Sequence, residues 1–407
     1  MRENAEKVGV WCIVSMASIP LVMTLGNSMF IPVLPILERK VGISSFQSSM
    51  IITSYSIAAI FLIPVAGYLS DRFGRKKVIL PSLTLALLGG LIAGFASWKL
   101  EAPYTWIIIG RILQGIGASG AFPIVLPLVG DLYKDDDEKT SSCLGIIETS
   151  NTAGKVLSPI LGSLLAAFLW FFPFFSISIF SFISIILIYF FVKVPKDKND
   201  PIKIKEFLNN TKKTFKSEGN WLFTVFLVGT FVMLVLFGVL FFLSENLEMV
   251  HDLMGIKKGF ILAIPLFVLC ITSFITGRKI KGVLPTMKKI MICCLIVLSV
   301  SVCFVGYTSE KLILLLIVTS IVGMAIGGLL PVLDAIVTEN IEKEKRGTIT
   351  SFYSSARFIG VAAGPPIMSL VMNDADAVNI SYITAGVLGL LFLLIVIKLI
   401  KVEEIEN

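Results

Sequence analysis

Charge is scarce in this chain. Of its 407 residues only 15% are Asp, Glu, Lys or Arg, against 56% hydrophobic, and the mean hydropathy is +0.90. A water-soluble domain needs more polar surface than that, whereas apolar runs of about 20 residues suit helices that cross a bilayer. Histidine is scarcer still. His251 is the only one and lies in a loop, so an intramembrane histidine relay is excluded. The six cysteines (Cys12, Cys143, Cys270, Cys293, Cys294, Cys303) all fall in or at the ends of apolar runs. They have neither metal-ligand spacing nor the loop framework of a disulfide scaffold, and read as small apolar fillers. The formal charge of +7 comes from bases in loops between apolar runs, not from one basic face, which excludes nucleic acid as a partner. No cofactor, metal or enzymatic activity is expected.

Twelve apolar runs are present, at roughly 8–35, 46–69, 78–97, 104–131, 141–166, 168–192, 220–243, 256–277, 290–308, 312–338, 348–372 and 379–399. The first is too long and too proline-interrupted for a cleaved signal peptide and is expected to stay as a helix. Alternating the loops from an inside N-terminus places 26 of the 35 Lys and Arg inside, 6 outside and 3 (Arg111, Lys155, Arg357) within runs. That imbalance predicts both termini in the cytoplasm. Lys257 and Lys258 count among the outside bases, and residues 244–254 read as an outside loop. The longest polar stretch, 193–219, carries eight lysines and divides the chain into 1–192 and 220–407. Its segment 202–215 alternates apolar and basic positions, which suits either a solvated linker or an interfacial helix.

The two divisions look like repeats. Gly115, Gly120, Pro123 and Asp131 recur as Gly323, Gly328, Pro331 and Glu339, at a constant offset of 208. Gly154-x-x-x-Ser158-Pro159 recurs as Gly360-x-x-x-Gly364-Pro365, at an offset of 206. Six spans, a linker and six related spans are the plan of a duplicated transporter, with its binding site near the midplane between the halves.

Four stretches carry the chemistry. The first is Gly67-Tyr68-Leu69-Ser70-Asp71-Arg72-Phe73-Gly74-Arg75-Lys76-Lys77, a basic turn between runs two and three. Gly67 suits a close backbone approach and Gly74 a sharp turn. Arg72, Arg75, Lys76 and Lys77 hold the turn inside. The second is Leu25-Gly26-x₅-Pro32-Val33-x-Pro35, whose prolines are expected to bend the helix near its outer end. Third comes Arg111-Ile112-Leu113-Gln114-Gly115-Ile116-Gly117-Ala118. An arginine within a span is expensive unless paired or hydrated, so it is functional by default, with snorkelling to the outer interface as the alternative. The fourth is Gly154-Lys155-Val156-Leu157-Ser158-Pro159-Ile160-Leu161-Gly162-Ser163. Its Gly-Lys pair is not a P-loop, because Thr149 and Val156 stand where a glycine and a Ser or Thr are needed.

G-x-L-x-D-R-x-G-R-K between spans two and three resembles the signature loop of the major facilitator superfamily. There the loop is a cytoplasmic gate whose aspartate docks on the other half in the outward-facing state. L-G-x₅-P-V-x-P in span one and R-x-x-Q-G-x-G-A in span four are similar to the twelve-helix drug:proton antiporters of that superfamily. Span five resembles their G-x-x-x-G-P-x-x-G-G pattern, with serine at 158 and 163 where the pattern has glycine. The resemblance implies an all-α fold of twelve transmembrane helices in two pseudo-symmetric six-helix bundles. It implies a monomeric, proton-coupled exporter of small molecules in a bacterial cell membrane, of the multidrug efflux type. It ties Arg111 to proton transfer and makes Gly154, Ser158, Pro159 and Gly162, with Gly360, Gly364 and Pro365, a helix-packing motif.

Residue chemistry adds to this. Glu148 and Lys155 are seven apart, on one helix face. Arg357 lies at similar depth, and Asp334 is nearer the cytoplasmic edge. Glu148 is expected to carry the proton, paired with Lys155 or Arg357 in one half of the cycle, with Asp334 the next candidate. A structural ion pair is the competing reading of Glu148. The substrate cavity is expected to hold Asn27, Gln114, Lys155 and Arg357. Tyr55, Phe61, Phe122, Phe226, Phe237 and Tyr353 have the character of cavity or packing aromatics. Span one offers Asn27 rather than an acid for cationic drugs, and three bases lie within the spans. A dedicated exporter of an acidic metabolite such as a catecholate siderophore is therefore the alternative. A non-transporting membrane sensor is the reading from another class, and measurable flux would exclude it.

Overall fold

The computed structural model describes residues 9–133, 137–194, 219–280, 284–341 and 343–400, with Lys212 and Phe215. The expected interfacial helix at 202–215 and most of the linker lie outside the described residues. Among the described residues there are twelve long helices and no strand. They are α1 (Val10–Val41), α2 (Ser45–Phe73), α3 (Arg75–Lys99), α4 (Tyr104–Leu132), α5 (Asp137–Phe168), α6 (Phe172–Phe191), α7 (Gly219–Met249), α8 (Gly255–Lys279), α9 (Leu284–Cys303), α10 (Leu312–Glu339), α11 (Lys343–Val371) and α12 (Ala375–Leu399). Ten are long and apolar enough to cross a membrane; α5 and α11 are not among them. Those two carry Glu148 and Lys155, and Arg357, in their interiors.

Helix ends follow local chemistry. Ser44 and Gln47 form a reciprocal capping box at the start of α2, at 3.2 and 2.9 Å. Asp374 accepts from the amides of Asp376 and Ala377 to start α12. Within α1 the helix breaks after Ser28 and passes through a 3₁₀ turn, Ile31–Val33, before resuming at Leu34. Pro32 and Pro35 explain the break, since neither supplies an amide hydrogen.

Helix α1 packs on α5 and α6, α4 on α2 and α3, and α3 on α6. In the same way α7 packs on α11, α10 on α8 and α9, and α9 on α12. The two sets meet along α2–α11 and α5–α8. Close approaches repeat with the sequence. A Cβ at Gly154 would meet the Thr24 side chain of α1 at 3.2 Å, and one at its counterpart Gly360 the Leu234 amide of α7 at 2.7 Å.

Two expectations about the outer loops are corrected, and the turn between runs two and three is shorter than the runs 46–69 and 78–97 imply. There α2 stays helical through Phe73 and α3 starts at Arg75, so the break is Gly74 alone, at φ 99°. Ser, Asp, Arg and Tyr tolerate a helix once it leaves the bilayer, and only Gly adopts that φ readily. Residues 244–254 are not an outside loop throughout. Helix α7 continues to Met249, and Ser244 to Glu248 are buried. Lys258 is not a loop base either; it lies 1% exposed in the first turn of α8.

Candidate functional site

A cavity lies between the two sets of helices. Its walls come from α1 (Thr24, Asn27, Ser28), α2 (Tyr55), α4 (Phe122, Pro123), α5 (Asn151, Lys155, Pro159), α7 (Met233, Phe237, Leu240), α8 (Leu262, Leu266) and α11 (Ser354, Arg357, Phe358). Its empty space is about 1040 Å³, including the part open to solvent. The wall is mostly apolar, with a few polar groups that can orient a ligand, as small-molecule sites are built. Two of those groups are bases, Lys155 and Arg357, and the wall contains no carboxylate.

Asn27, Lys155 and Arg357 line the cavity. Gln114 does not. It is 1% exposed and its Oε1 accepts from Arg111 NH1 at 2.7 Å. Of the six aromatics, Tyr55, Phe122 and Phe237 line the wall. Phe226 and Tyr353 are buried together behind it, rings 5.7 Å apart, and Phe61 faces outward.

Arg357 does not reach Glu148. It donates to Asp334 at 2.9 Å and lies over the Tyr353 ring. Glu148 is solvent-exposed, and its Oε1 accepts from Asn151 at 3.2 Å. Asn151 in turn accepts from Thr24 of α1 at 2.6 Å. The charges acting on Glu148 are Lys155, Asp334 and Arg357. The ion pairs among the described residues do not include Glu148 or Lys155. The four charges share one field, but only Arg357 and Asp334 are bonded.

Arg111 does not snorkel. Its side chain is fully buried, with the guanidinium between the rings of Phe30 and Tyr55, centroids at 4.7 and 4.6 Å. It donates to the carbonyls of Ile51 and Gly26, both at 2.7 Å. These bonds tie α4 to α1 and α2. No acid is among its partners, and Tyr55 stands between it and the cavity, so the three intramembrane bases do not act together on one ligand.

At Gly74, Arg75 bridges Asp71 and Asp131, the latter at 3.0 Å. Arg72 donates to the Tyr68 hydroxyl. Lys76 donates to the last carbonyls of α6, Tyr189 at 2.8 Å and Val192 at 2.6 Å. Among the described residues these partners all belong to the first six helices. Gly67 lies where a Cβ would approach the Ser351 hydroxyl of α11 at 3.0 Å, so the two sets also touch here.

At the opposite end the sets are locked by groups the sequence reading did not single out. Arg39 pairs with Glu248, which also accepts from Lys258 at 2.9 Å. Ser244 donates to the Ile31 carbonyl at 2.8 Å, and Ser45 to Met372 Sδ at 3.3 Å. The available signal was the apolar run of α7, which continues past Ser244 into Leu247 and Met249.

The family model of the Major Facilitator Superfamily matches residues 16–285 and 287–407. The Bacillibactin exporter of Bacillus subtilis (strain 168) is 50% identical over 97% of this chain and 98% of its own length. Multidrug resistance protein 2 of the same organism is 24% identical, over 88% and 87%. Among solved structures, a D-xylose–proton symporter superposes with a TM-score of 0.76 at 17% identity, over 96% of this chain and 98% of that one. The exporter and the symporter are transporters by name, and the superposition with the symporter shows a shared fold. The chain is a multi-pass membrane transporter and belongs to the Major Facilitator Superfamily.

Proposed function

We propose that the protein exports an acidic catecholate siderophore of the bacillibactin type by alternating access. The observation that carries this reading is the cavity wall. Lys155 from the first six helices and Arg357 from the last six face the same space, and no carboxylate does. Two bases on opposed, moving units hold an anion from both sides. Tyr55, Phe122, Phe237 and Phe358 add ring faces against which catechol rings can stack. The 50% identity to the Bacillibactin exporter supports the same cargo. The multidrug reading rests on the more distant relative, and Asn27 leaves span one without an acid for cationic drugs.

Inward proton flow drives export in this reading. Glu148 is the carrier, with Asp334 the next candidate. Residues 1–192 and 220–407 are the rocking units. The stretch around Gly67, Asp71, Arg72, Gly74, Arg75 and Lys76 is the cytoplasmic gate, and both termini are cytoplasmic in a bacterial cell membrane.

Everted vesicles with an imposed pH gradient test cargo and coupling together. Lys155→Ala is expected to reduce catecholate siderophore uptake about 10- to 100-fold, as the loss of one charge contact in a partly hydrated site. Uptake of a cationic dye should change little. Glu148→Gln should abolish gradient-driven accumulation but leave substrate binding. Cation transport with no siderophore transport would return the multidrug reading. Accumulation that persists in Glu148→Gln would move the carrier to Asp334.

A further inference from the structure

The far end of the molecule, opposite Gly74, holds an unbalanced group of charges between the two sets of helices, with Glu245, Glu248 and Lys258 buried, Glu38 half-buried and Arg39 exposed. Glu38 and Arg39 come from α1, Glu245 and Glu248 from α7, and Lys258 from α8. Both bases are already engaged by Glu248: Lys258 by a hydrogen bond at 2.9 Å, Arg39 by an ion pair. Glu38 has the hydroxyl of Ser48 at 2.5 Å. Glu245 has no comparable partner. It is 2% exposed, and its Oε1 is buried without a hydrogen bond. Among the charges around it, the carboxylate of Glu38 acts most strongly, then Lys258, Glu248 and Arg39. One turn away, Tyr382 of α12 packs its ring against Phe242, and its hydroxyl is buried without a hydrogen-bond partner.

Three carboxylates face two bases, so with every group ionised the cluster carries one surplus negative charge. The buried Glu245 Oε1 has no hydrogen-bond donor among the described residues, and Glu38 of the other set of helices is the like charge that acts on it most strongly. A buried carboxylate in this position is expensive to ionise. Neutralised by a proton it becomes a donor, and the repulsion with Glu38 disappears.

We propose that this cluster is a proton-operated latch on the outer gate, in which closing the far end takes up one proton on the Glu38–Glu245 pair and opening it releases that proton to the same side. The proton comes from the outer solution while the gate is open and returns there, so the step moves no net charge across the membrane. It regulates when the gate shuts and is separate from the coupling assigned to Glu148. The proposal needs the alternating access of the family but not the identity of the cargo.

The sign follows from linkage. The closed state binds the extra proton, so a lower pH favours closure, by up to about tenfold per pH unit for one proton. Hydrogen–deuterium exchange of the full-length protein in lipid nanodiscs, without substrate, reads the gate directly. Peptides covering 34–45 and 244–258 are compared with one covering 83–96, in the middle of α3 and away from both gates, which corrects for the intrinsic pH dependence of exchange. In the wild type the protection of the first two should rise relative to the third as pH falls. Glu245→Gln, neutral at every pH, should be protected throughout with the slope lost. Glu245→Asp should restore the slope. A wild-type gate whose relative protection is flat across pH 5 to 9, which is roughly the range of a perturbed carboxylate, overturns the proposal. So does a Glu245→Gln variant that keeps the slope. Melting curves of the variants identify any loss of fold, and in that case Glu38→Gln, which removes the opposing carboxylate, carries the same test.

Discussion

In the first six helices, Gly115 rests α4 on the Tyr55 backbone and Gly120 on Ser82; in the last six, Gly323 rests α10 on the Pro265 backbone and Gly328 on Cys294. Each pair lies 208 residues from its counterpart. The α5–α1 contact at Gly154 and Gly162 is matched by the α11–α7 contact at Gly360 and Gly364. The charges inside the spans are not matched. At the offset that relates these glycines, Arg111 corresponds to Thr319 and Gln114 to Val322. Thr319 bonds only to carbonyls of its own helix, whereas Arg111 ties three helices together. Duplication has kept the close approaches of backbones and left the side-chain chemistry of each half to diverge. A backbone contact constrains both copies alike, while a charge is needed only where a ligand, a proton or a partner helix calls for it.

Substitution can break this comparison at several strengths. The largest effect is expected at the shared contacts. Gly115→Val and Gly323→Val each force a branched side chain into a neighbouring backbone, at a cost of about 3 kcal/mol or more. Both should leave little folded protein in fluorescence-detected size exclusion. A near-normal yield from one and not the other would show that the two contacts are not equivalent.

The unshared arginine should behave differently. Arg111 is buried without an acid, and replacing a buried ion by an apolar side chain is often neutral or stabilising. Arg111→Met is expected to keep the melting temperature within a few degrees while reducing transport roughly tenfold or more. Thr319→Val should change neither. A large fall in melting temperature for Arg111→Met would make the residue a structural clamp.

The smallest effect belongs to the exposed pairs at Gly74. Arg75 bridges two aspartates whose side chains are each 40% exposed, so Asp71→Asn and Arg75→Ala should each lower stability by less than about 1 kcal/mol. Any larger loss of transport would then come from the conformational cycle. Thermal melts run beside flux assays separate the two.

Much of this could be read from the chain, and the rest fails for identifiable reasons. The twelve helices follow from hydropathy and from repeated Gly and Pro, even for α5 and α11, whose charges remove them from the candidate spans. The shared helix face of Glu148 and Lys155 and the depth of Arg357 were legible from helical spacing. Gln114 was not, because only the packing of α4 against α1 and α2 decides whether a polar residue meets the cavity or a buried guanidinium. The Arg357–Asp334 pair joins two helices and is set by their relative rotation, which spacing does not encode. The cluster around Glu245 was missed because charged residues after an apolar run look like a loop.

One contact at the far end has a consequence for mutational scanning. Ile31 would ordinarily lend its carbonyl to the amide of residue 35, but that residue is Pro35, which has none. The freed oxygen accepts the Ser244 hydroxyl from the opposite half, at 2.8 Å. Side-chain replacement at Ile31 leaves that oxygen in place, so a scan of α1 will pass over the contact. It becomes visible only from the other partner, or through Pro35, whose replacement restores the competing amide.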